Sequence, residues 1–355
     1  MHEQREPRCL IAAGGTAGHV LPSLAVAEAL SARGALVTFA GSPERVEARL
    51  VAEAGYAFDP FPVSGLPRRP GRALAHALSV DARAPRACAR ILESRRPDVV
   101  LGAGGYVAGP MVYAAWRKRI PAALAEADAH LGLANRLAAP FARRVFLAYA
   151  IPGRSGGKYR VVGRPIRPAP PVGREEARRL FSLPQEGPAL LVFGGSQGAE
   201  TLNEAVLDAF AGSGPAVLHL CGERYYERLR GRVGRDDYRL LPWTDEFAAA
   251  LAATDLVLAR AGGSVWELAA AGKPAVLVPS PNVTADHQTK NARHFEACGG
   301  AVVVPEAELS RVPELVRSLL DDHARLAAMS EAMLRAARPH AADEIAEELL
   351  ALASA

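Results

Sequence analysis

The chain has 355 residues, half of them hydrophobic and 23% charged, which excludes a disordered chain, a collagen and a small disulfide scaffold. At roughly 100–200 residues per domain, this length predicts two domains. Lys and Arg total 42 against 38 Asp and Glu, and a balance of +4 is too small to imply nucleic acid as a partner.

In chain order, the apolar run Cys9–Ala13 leads into Gly14-Gly15-Thr16-Ala17-Gly18-His19, and Leu21–Leu30 then has helical apolar spacing. This predicts a strand, a glycine loop and a helix. Short apolar runs predict further strands at Ala35–Ala40, Val99–Leu101, Ala122–Ala125 and Arg144–Leu147, alternating with helices. The proline-rich stretch Arg164–Pro171 cannot continue a helix and marks a junction. The opening unit then recurs as the strand Ala189–Phe193, the loop Gly194-Gly195-Ser196-Gln197-Gly198 and the helix Leu202–Phe210. Strands follow at Ala216–Leu220, Leu256–Ala259 and Ala275–Val278, and the tail from Asp343 to Ala355 reads as a helix. Near-continuous apolar strands alternating with helices indicate parallel sheets covered on both faces, so the expectation is two doubly wound α/β domains. Their boundaries are set at 1–164 and 165–340, with a terminal helix near 341–355 that packs back on the first domain.

Cys9, Cys88, Cys221 and Cys298 are scattered without ligand or disulfide spacing, which predicts reduced thiols and no zinc site. The first ten residues are charged and lack a signal-peptide core, and no apolar run approaches the ~18 residues of a membrane span. The expectation is a cytoplasmic protein whose membrane contact is peripheral.

A glycine loop between a strand and a helix turns backbone N–H groups outward at the positive helix end, where an anion or sugar oxygens can sit. Both glycine loops fit, but neither is G-x-G-x-x-G, and Glu44 lies late for a dinucleotide ribose, which disfavours a nicotinamide enzyme. Residues 194–198 satisfy G-x-S-x-G, which raises a serine hydrolase with Ser196, Asp255 or Asp286, and His287; Thr16 at the matching place in the first loop argues against it. In Asp255–Pro279, the glycines and Ser264 of Arg260–Ser264 open a helix where a diphosphate could rest without metal. Glu267 lies on its first turn, facing where a ribose diol would extend, or closes a capping box with Ser264. Gln288, in Asp286–Ala292, carries an amide able to donate to one sugar hydroxyl and accept from the next. Metal ligation is limited to the weak Glu126-Ala127-Asp128 candidate, since there is no D-x-D triplet and the spacing of His287 and His294 is not that of a metal pair.

Taken together and in order, Gly14–His19, Gly102–Pro110, Gly194–Ala199, Arg260–Gly272 and Asp286–Ala292 resemble the MurG family. These are the cytoplasmic glycosyltransferases that convert lipid I to lipid II in peptidoglycan synthesis. The likeness spans nearly the whole chain. It implies a GT-B fold of two Rossmann-like domains facing a cleft, an acceptor bound by the N-terminal half and UDP-GlcNAc bound mostly by the C-terminal half. The chain departs from the family pattern in three segments, and where the family usually reads HEQN it has Ala125-Glu126-Ala127-Asp128. Ala17 replaces a glycine, Asp128 an asparagine expected near the donor sugar, and Arg164 the asparagine of a G-N-P motif.

Carried over position by position, the resemblance puts Thr16, Ala17 and Gly18 at the junction of donor and acceptor, and Gly104, Gly105 and Tyr106 on the acceptor side. Asp128 lies near the donor sugar. Arg167, Trp243 and Thr244 face the nucleotide, with Trp243 stacked on uracil. Ser196, Gly263 and Ser264 hold the diphosphate at the start of the helix carrying Val265 and Trp266. Glu267 takes the ribose and Gln288 the sugar. The implied reaction inverts the anomeric centre and needs a general base. His19 is the preferred base, because imidazole titrates in the right range, with Glu126 and Asp128 as alternatives and a purely loop-fixing histidine as the competing role. The implied partners are UDP-GlcNAc, the polyprenyl-linked acceptor and an anionic membrane surface at the cytoplasmic face, with no nucleic acid, cofactor or metal. Arg68, Arg69, Arg72, Arg83, Arg86 and Arg90 alternate with Leu74, Ala77, Leu78 and Val80, a basic and apolar stretch suited to lipid or to an ordinary solvated helix face. A diacylglycerol glycosyltransferase and a UDP-GlcNAc 2-epimerase remain as alternatives, and a nucleotide-sugar sensor as a remote one.

Overall fold

The computed structural model describes residues 5–65, 71, 77, 79–167 and 170–355. The chain divides into two units, residues 1–167 with 338–355, and residues 168–337. In the first, seven parallel strands form one sheet: β1 (Arg8–Ala12), β2 (Leu36–Gly41), β3 (Ala57–Pro60), β4 (Val99–Gly102), β5 (Ala122–Glu126), β6 (Arg144–Leu147) and β7 (Tyr159–Val161). Their spatial order is β3-β2-β1-β4-β5-β6-β7. In the second, β8 (Ala189–Phe193), β9 (Ala216–Leu220), β10 (Tyr238–Leu241), β11 (Leu256–Ala259), β12 (Ala275–Leu277) and β13 (Ala301–Val303) order as β10-β9-β8-β11-β12-β13. Every pairing in both sheets is parallel.

The period of two along each strand divides the core of the first unit. Cys9, Ile11, Phe39 and Leu101 face helices Ala17–Ser31 and Ala341–Ala353, while Leu10, Ala12, Val100 and Leu124 face helices Ala84–Arg95 and Gly105–Arg117. Helix Ala341–Ala353 belongs to this unit despite its position at the end of the chain. It buries Ala342, Ile345, Ala346 and Leu349 at helical spacing, and Arg33 pairs with Asp343 at 2.9 Å and Glu347 at 3.1 Å.

Several boundaries differ from the sequence expectation. The helix after the first glycine loop begins at Ala17 instead of Leu21, because Thr16 takes the extended conformation of a capping residue (φ −148°), and it continues through Pro22 in its second turn. Strands expected at Ala35–Ala40 and Ala275–Val278 are Leu36–Gly41 and Ala275–Leu277.

In the second unit a fully buried cation organises the N-terminal ends of the strands. Arg178 donates to the carbonyls of Ala253, Pro184, Gln185 and Gly187 and to Asp255, which also pairs with Arg174 at 2.6 Å. Beneath β9 lies a buried polar network. His219 Nδ1 meets the Tyr238 hydroxyl at 2.8 Å and its Nε2 meets Asn203 Oδ1 at 3.0 Å, while Asn203 donates to the Cys221 carbonyl. Burial pushes the His219 imidazole down to about 3, so it is neutral.

Candidate functional site

In an open doubly wound sheet, ligands gather beyond the carboxyl ends of the strands where the winding reverses. The strand orders put that point between β1 and β4 in the first unit and between β8 and β11 in the second. The glycine-rich segments fall there in both: Gly14–His19 follows β1, Gly102–Tyr106 follows β4, Gly194–Gly198 follows β8, and Arg260–Ser264 follows β11.

In the first unit the two segments interlock. Gly105, at φ +69°, lies so close to the Gly14 carbonyl that no side chain fits, and Gly104, at φ +90°, abuts the imidazole of His19. A Cβ at Gly104 would stand 2.6 Å from His19 Cδ2 and 3.2 Å from Nε2, so the glycine keeps that ring edge clear. The Thr16 hydroxyl lies 3.2 Å from His19 Nδ1. Tyr106 packs against Gly15 and Gly65, and burial raises its phenol above the ordinary range. Glu47, buried on helix Val46–Glu53, accepts from the N–H groups of Gly15 and Ser42, each at 3.2 Å. The Gly15 amide, read from sequence as open to an anion, is therefore engaged within the loop. Sequence reasoning missed Glu47 because its partners are backbone groups supplied by other elements.

Glu126 ends β5 and is buried. It accepts from Gly132 N at 2.9 Å, Asn135 Nδ2 at 3.0 Å and Asp128 N at 3.2 Å, while burial raises its pKa against these bonds. A carboxylate with three internal donors shapes the loop after β5, which makes it a poor candidate for the general base. Gly18, His19, Glu126 and Arg164 line one small pocket. Arg167, expected to face a nucleotide, pairs with Glu28 at 2.7 Å on helix Ala17–Ser31.

In the second unit, Ser196 is exposed in its loop, and the Gly198 Cα lies against the Cys221 carbonyl, which only glycine at φ +70° permits. Ser264 caps helix Val265–Ala270 but makes no side-chain capping bond, so the expected capping box with Glu267 is not formed from Ser264. Gly263 is half-buried and Glu267 exposed. Val265 and Trp266 point inward, Trp266 stacking edge-on to Phe295 at 5.3 Å, so only their main chain can meet a ligand. Trp243 is 47% exposed beyond β10, and Thr244 Oγ1 accepts from Glu246 N at 3.1 Å, closing the turn. Gln288 Oε1 accepts from Ser280 N at 2.8 Å, which uses one of the two lone pairs of its amide oxygen.

Two braces under this loop were not read from sequence. Buried Arg260 donates to the carbonyls of Val278 and Pro279 and to Thr201 Oγ1, and it pairs with Glu306. Buried Asn291 donates to the Ala261 carbonyl at 3.4 Å. Geometry also removes the hydrolase reading that used Asp255. That residue precedes β11 and is tied to two arginines, while Ser196 lies past the other end of neighbouring β8. Four residues of strand at ~3.3 Å each keep them apart.

Among the described residues no helix is long and apolar enough to cross a membrane, and no group of three or more His, Cys, Asp or Glu is placed to hold a metal ion.

Family models match the chain twice, as the glycosyltransferase family 28 N-terminal domain over residues 9–147 and the C-terminal domain over residues 189–345. A Salinibacter ruber protein named UDP-N-acetylglucosamine–N-acetylmuramyl-(pentapeptide) pyrophosphoryl-undecaprenol N-acetylglucosamine transferase is 41% identical, covering 98% of each chain. A Halorhodospira halophila protein of the same name is 42% identical, covering 95% of this chain and 96% of its own. Among solved structures, Acinetobacter baumannii MurG superposes with a TM-score of 0.77 at 28% identity, covering 98% of this chain and 99% of that one. UDP-GlcNAc 2-epimerase from Neisseria meningitidis reaches 0.68 at 14% identity over 97% of this chain and all of its own, a likeness of fold alone. The chain has the GT-B fold and belongs to glycosyltransferase family 28 and, within it, to the MurG family.

Proposed function

We propose that this chain transfers N-acetylglucosamine from UDP-N-acetylglucosamine to the muramyl C4 hydroxyl of a polyprenyl-diphosphate-linked acceptor, the step that makes lipid II for peptidoglycan. The observation that carries this reading is near-full-length identity of about two residues in five with transferases named for that reaction.

The second unit holds the donor. Main-chain N–H groups at Ser196 and Gly263–Ser264 receive the diphosphate at helix starts, the Glu267 carboxylate accepts from the ribose hydroxyls, Trp243 stacks on the uracil, and the Gln288 amide donates to the sugar. As the C1–O bond to UDP breaks, charge grows on the departing phosphate, and oriented N–H groups stabilise it without reorganising. The first unit supplies the base. With the Thr16 hydroxyl at Nδ1, His19 Nε2 takes the C4 proton as that oxygen attacks C1 from the face opposite UDP. Asp128, next in sequence to pocket-lining Ala127, accepts from sugar hydroxyls, and Gly104, Gly105 and Tyr106 shape the acceptor side.

The acceptor is anchored in lipid, so the enzyme works peripherally at the cytoplasmic face of the membrane. Of the basic stretch proposed for docking, residues 66–70, 72–76 and 78 lie outside the described residues, and Ala77 is buried. The described surface offers other exposed apolar and basic side chains. Trp116, Leu133 and Leu137 are exposed, Trp116 packs on Phe141 at 4.9 Å, and exposed Arg117 and Arg136 flank them. Apolar side chains rimmed by cations suit an anionic bilayer surface.

Mass spectrometry of products formed from UDP-N-acetylglucosamine with and without a lipid I analogue tests the reading. Transfer that requires the analogue is the expected result. Conversion of the nucleotide sugar by itself would make the chain an epimerase, and transfer to diacylglycerol instead would reassign the acceptor.

A further inference from the structure

Helix Ala17–Ser31 carries a proline in its second turn. A helical N–H at position 22 would bond the carbonyl of Gly18, four residues back, but Pro22 has no N–H, so that carbonyl is orphaned by the sequence. It lies one residue before His19, where a loose first turn would let the imidazole wander. The next carbonyl, that of His19, receives the Ser23 hydroxyl at 2.6 Å. The Gly18 carbonyl is taken by a residue from far along the chain: Arg164 Nη2 donates to it, while Arg164 Nη1 donates to the Ala127 carbonyl at 3.4 Å. Arg164 is 7% exposed and follows β7, immediately before Pro165.

We infer that Arg164 is a positioning residue for His19. Its guanidinium fork replaces the helical bond that Pro22 deletes, and it fastens the first turn of helix Ala17–Ser31 to the loop holding Glu126 and Asp128. The fork matters because two carbonyls on different elements are reached at once in a fixed planar geometry that a compact lysine ammonium does not reproduce. Two of the departures from the family pattern thus meet in one place: Arg164, which stands for an asparagine, holds the peptide group leading into Asp128, which stands for another. The catalytic consequence rests on the reading of His19 as base, whereas the positional claim does not.

The test is a double-mutant cycle between Arg164→Ala and Pro22→Ala, with Arg164→Lys and Arg164→Asn alongside. Two readouts are needed: kcat and donor KM in the transfer assay, and the His19 ring titration followed by NMR without substrate. Arg164→Ala should lower kcat roughly tenfold or more through misplacement of the base, leave donor KM within about twofold and alter the His19 titration. Arg164→Lys should keep the charge and show the same selective defect in milder form. Pro22→Ala restores an N–H for the Gly18 carbonyl, so in the Arg164→Ala background it should return kcat and the titration curve toward their starting values. Independent, multiplying losses in the double variant would overturn the inference, as would an unchanged titration in Arg164→Ala. If Arg164→Ala does not fold, the lysine variant decides, and a wild-type His19 curve there would also overturn it. Should the wild-type chain fail to transfer sugar, the functional reading falls while the substrate-free titration still decides the role of Arg164.

Discussion

The two units share a strand order and carry a glycine loop at the same topological place, yet their loops are finished differently. In the first, the space is filled from within: Glu47 takes the Gly15 amide, Tyr106 covers Gly15, Gly104 abuts His19, and Arg164 holds the Gly18 carbonyl. In the second, Ser196 and its neighbours stand exposed, and the supporting residues Arg260 and Asn291 work behind the loop. One winding pattern therefore serves two tasks. A loop tied from within its own unit holds a side chain in place, and an exposed loop stays open to a ligand. We propose the chemistry for the first loop and nucleotide binding for the second.

That division predicts opposite kinetic signatures for substitutions in the two loops. The largest effect is expected from His19→Ala, which should lower turnover by about 10²–10⁴, the usual worth of a general base, while UDP affinity measured by calorimetry stays unchanged. Near-wild-type turnover would return His19 to a loop-fixing role. Gly104→Ala is next. Its positive φ and the Cβ clash with His19 should cost roughly 10–100-fold in kcat, again with UDP binding intact. Glu267→Ala should do the reverse, raising donor KM roughly tenfold through loss of a charged hydrogen bond with a smaller change in kcat. If it lowered kcat alone, the division of labour would be wrong.

The smallest effect concerns stability. His219 is neutral in the folded second unit, with its pKa lowered from 6.5 to about 3 by burial, while unfolding lets it take a proton. Its contribution is therefore complete above pH 6.5 and is lost progressively as pH falls toward 3, with a slope of at most about 1.4 kcal/mol per pH unit. Melting temperatures between pH 7.5 and 4.5 should fall more steeply in the wild type than in His219→Gln, and parallel slopes would remove this residue from the acid response.

The central strands were legible because they are buried on both faces and read as unbroken apolar runs. β3, β7, β10 and β13 were not nominated from sequence, and they are the four sheet edges, short and partly exposed; Asp59, Tyr159, Arg160 and Arg239 interrupt the signal in the first three, and β13 is only three residues long. The site divides in the same way. Glycine loops at strand ends announce themselves locally, so His19, Ser264 and Glu267 could be chosen from spacing and resemblance. Glu47, Arg164, Arg260 and Asn291 act mainly on backbone carbonyls or amides supplied by other elements, and neither composition nor periodicity encodes such partners. Val265 and Trp266 illustrate the converse limit, since motif position named them while helix phase turned their side chains into the core.

The proposed seat of the nucleotide in the second unit is what a complex with UDP tests most directly. A crystal structure with UDP should place the diphosphate within hydrogen-bond distance of the amides at Ser196 and Gly263–Ser264, with the ribose on Glu267 and no cation bridging the phosphates. UDP bound away from these loops, or a diphosphate held through a divalent metal whose chelation abolishes activity, would contradict it.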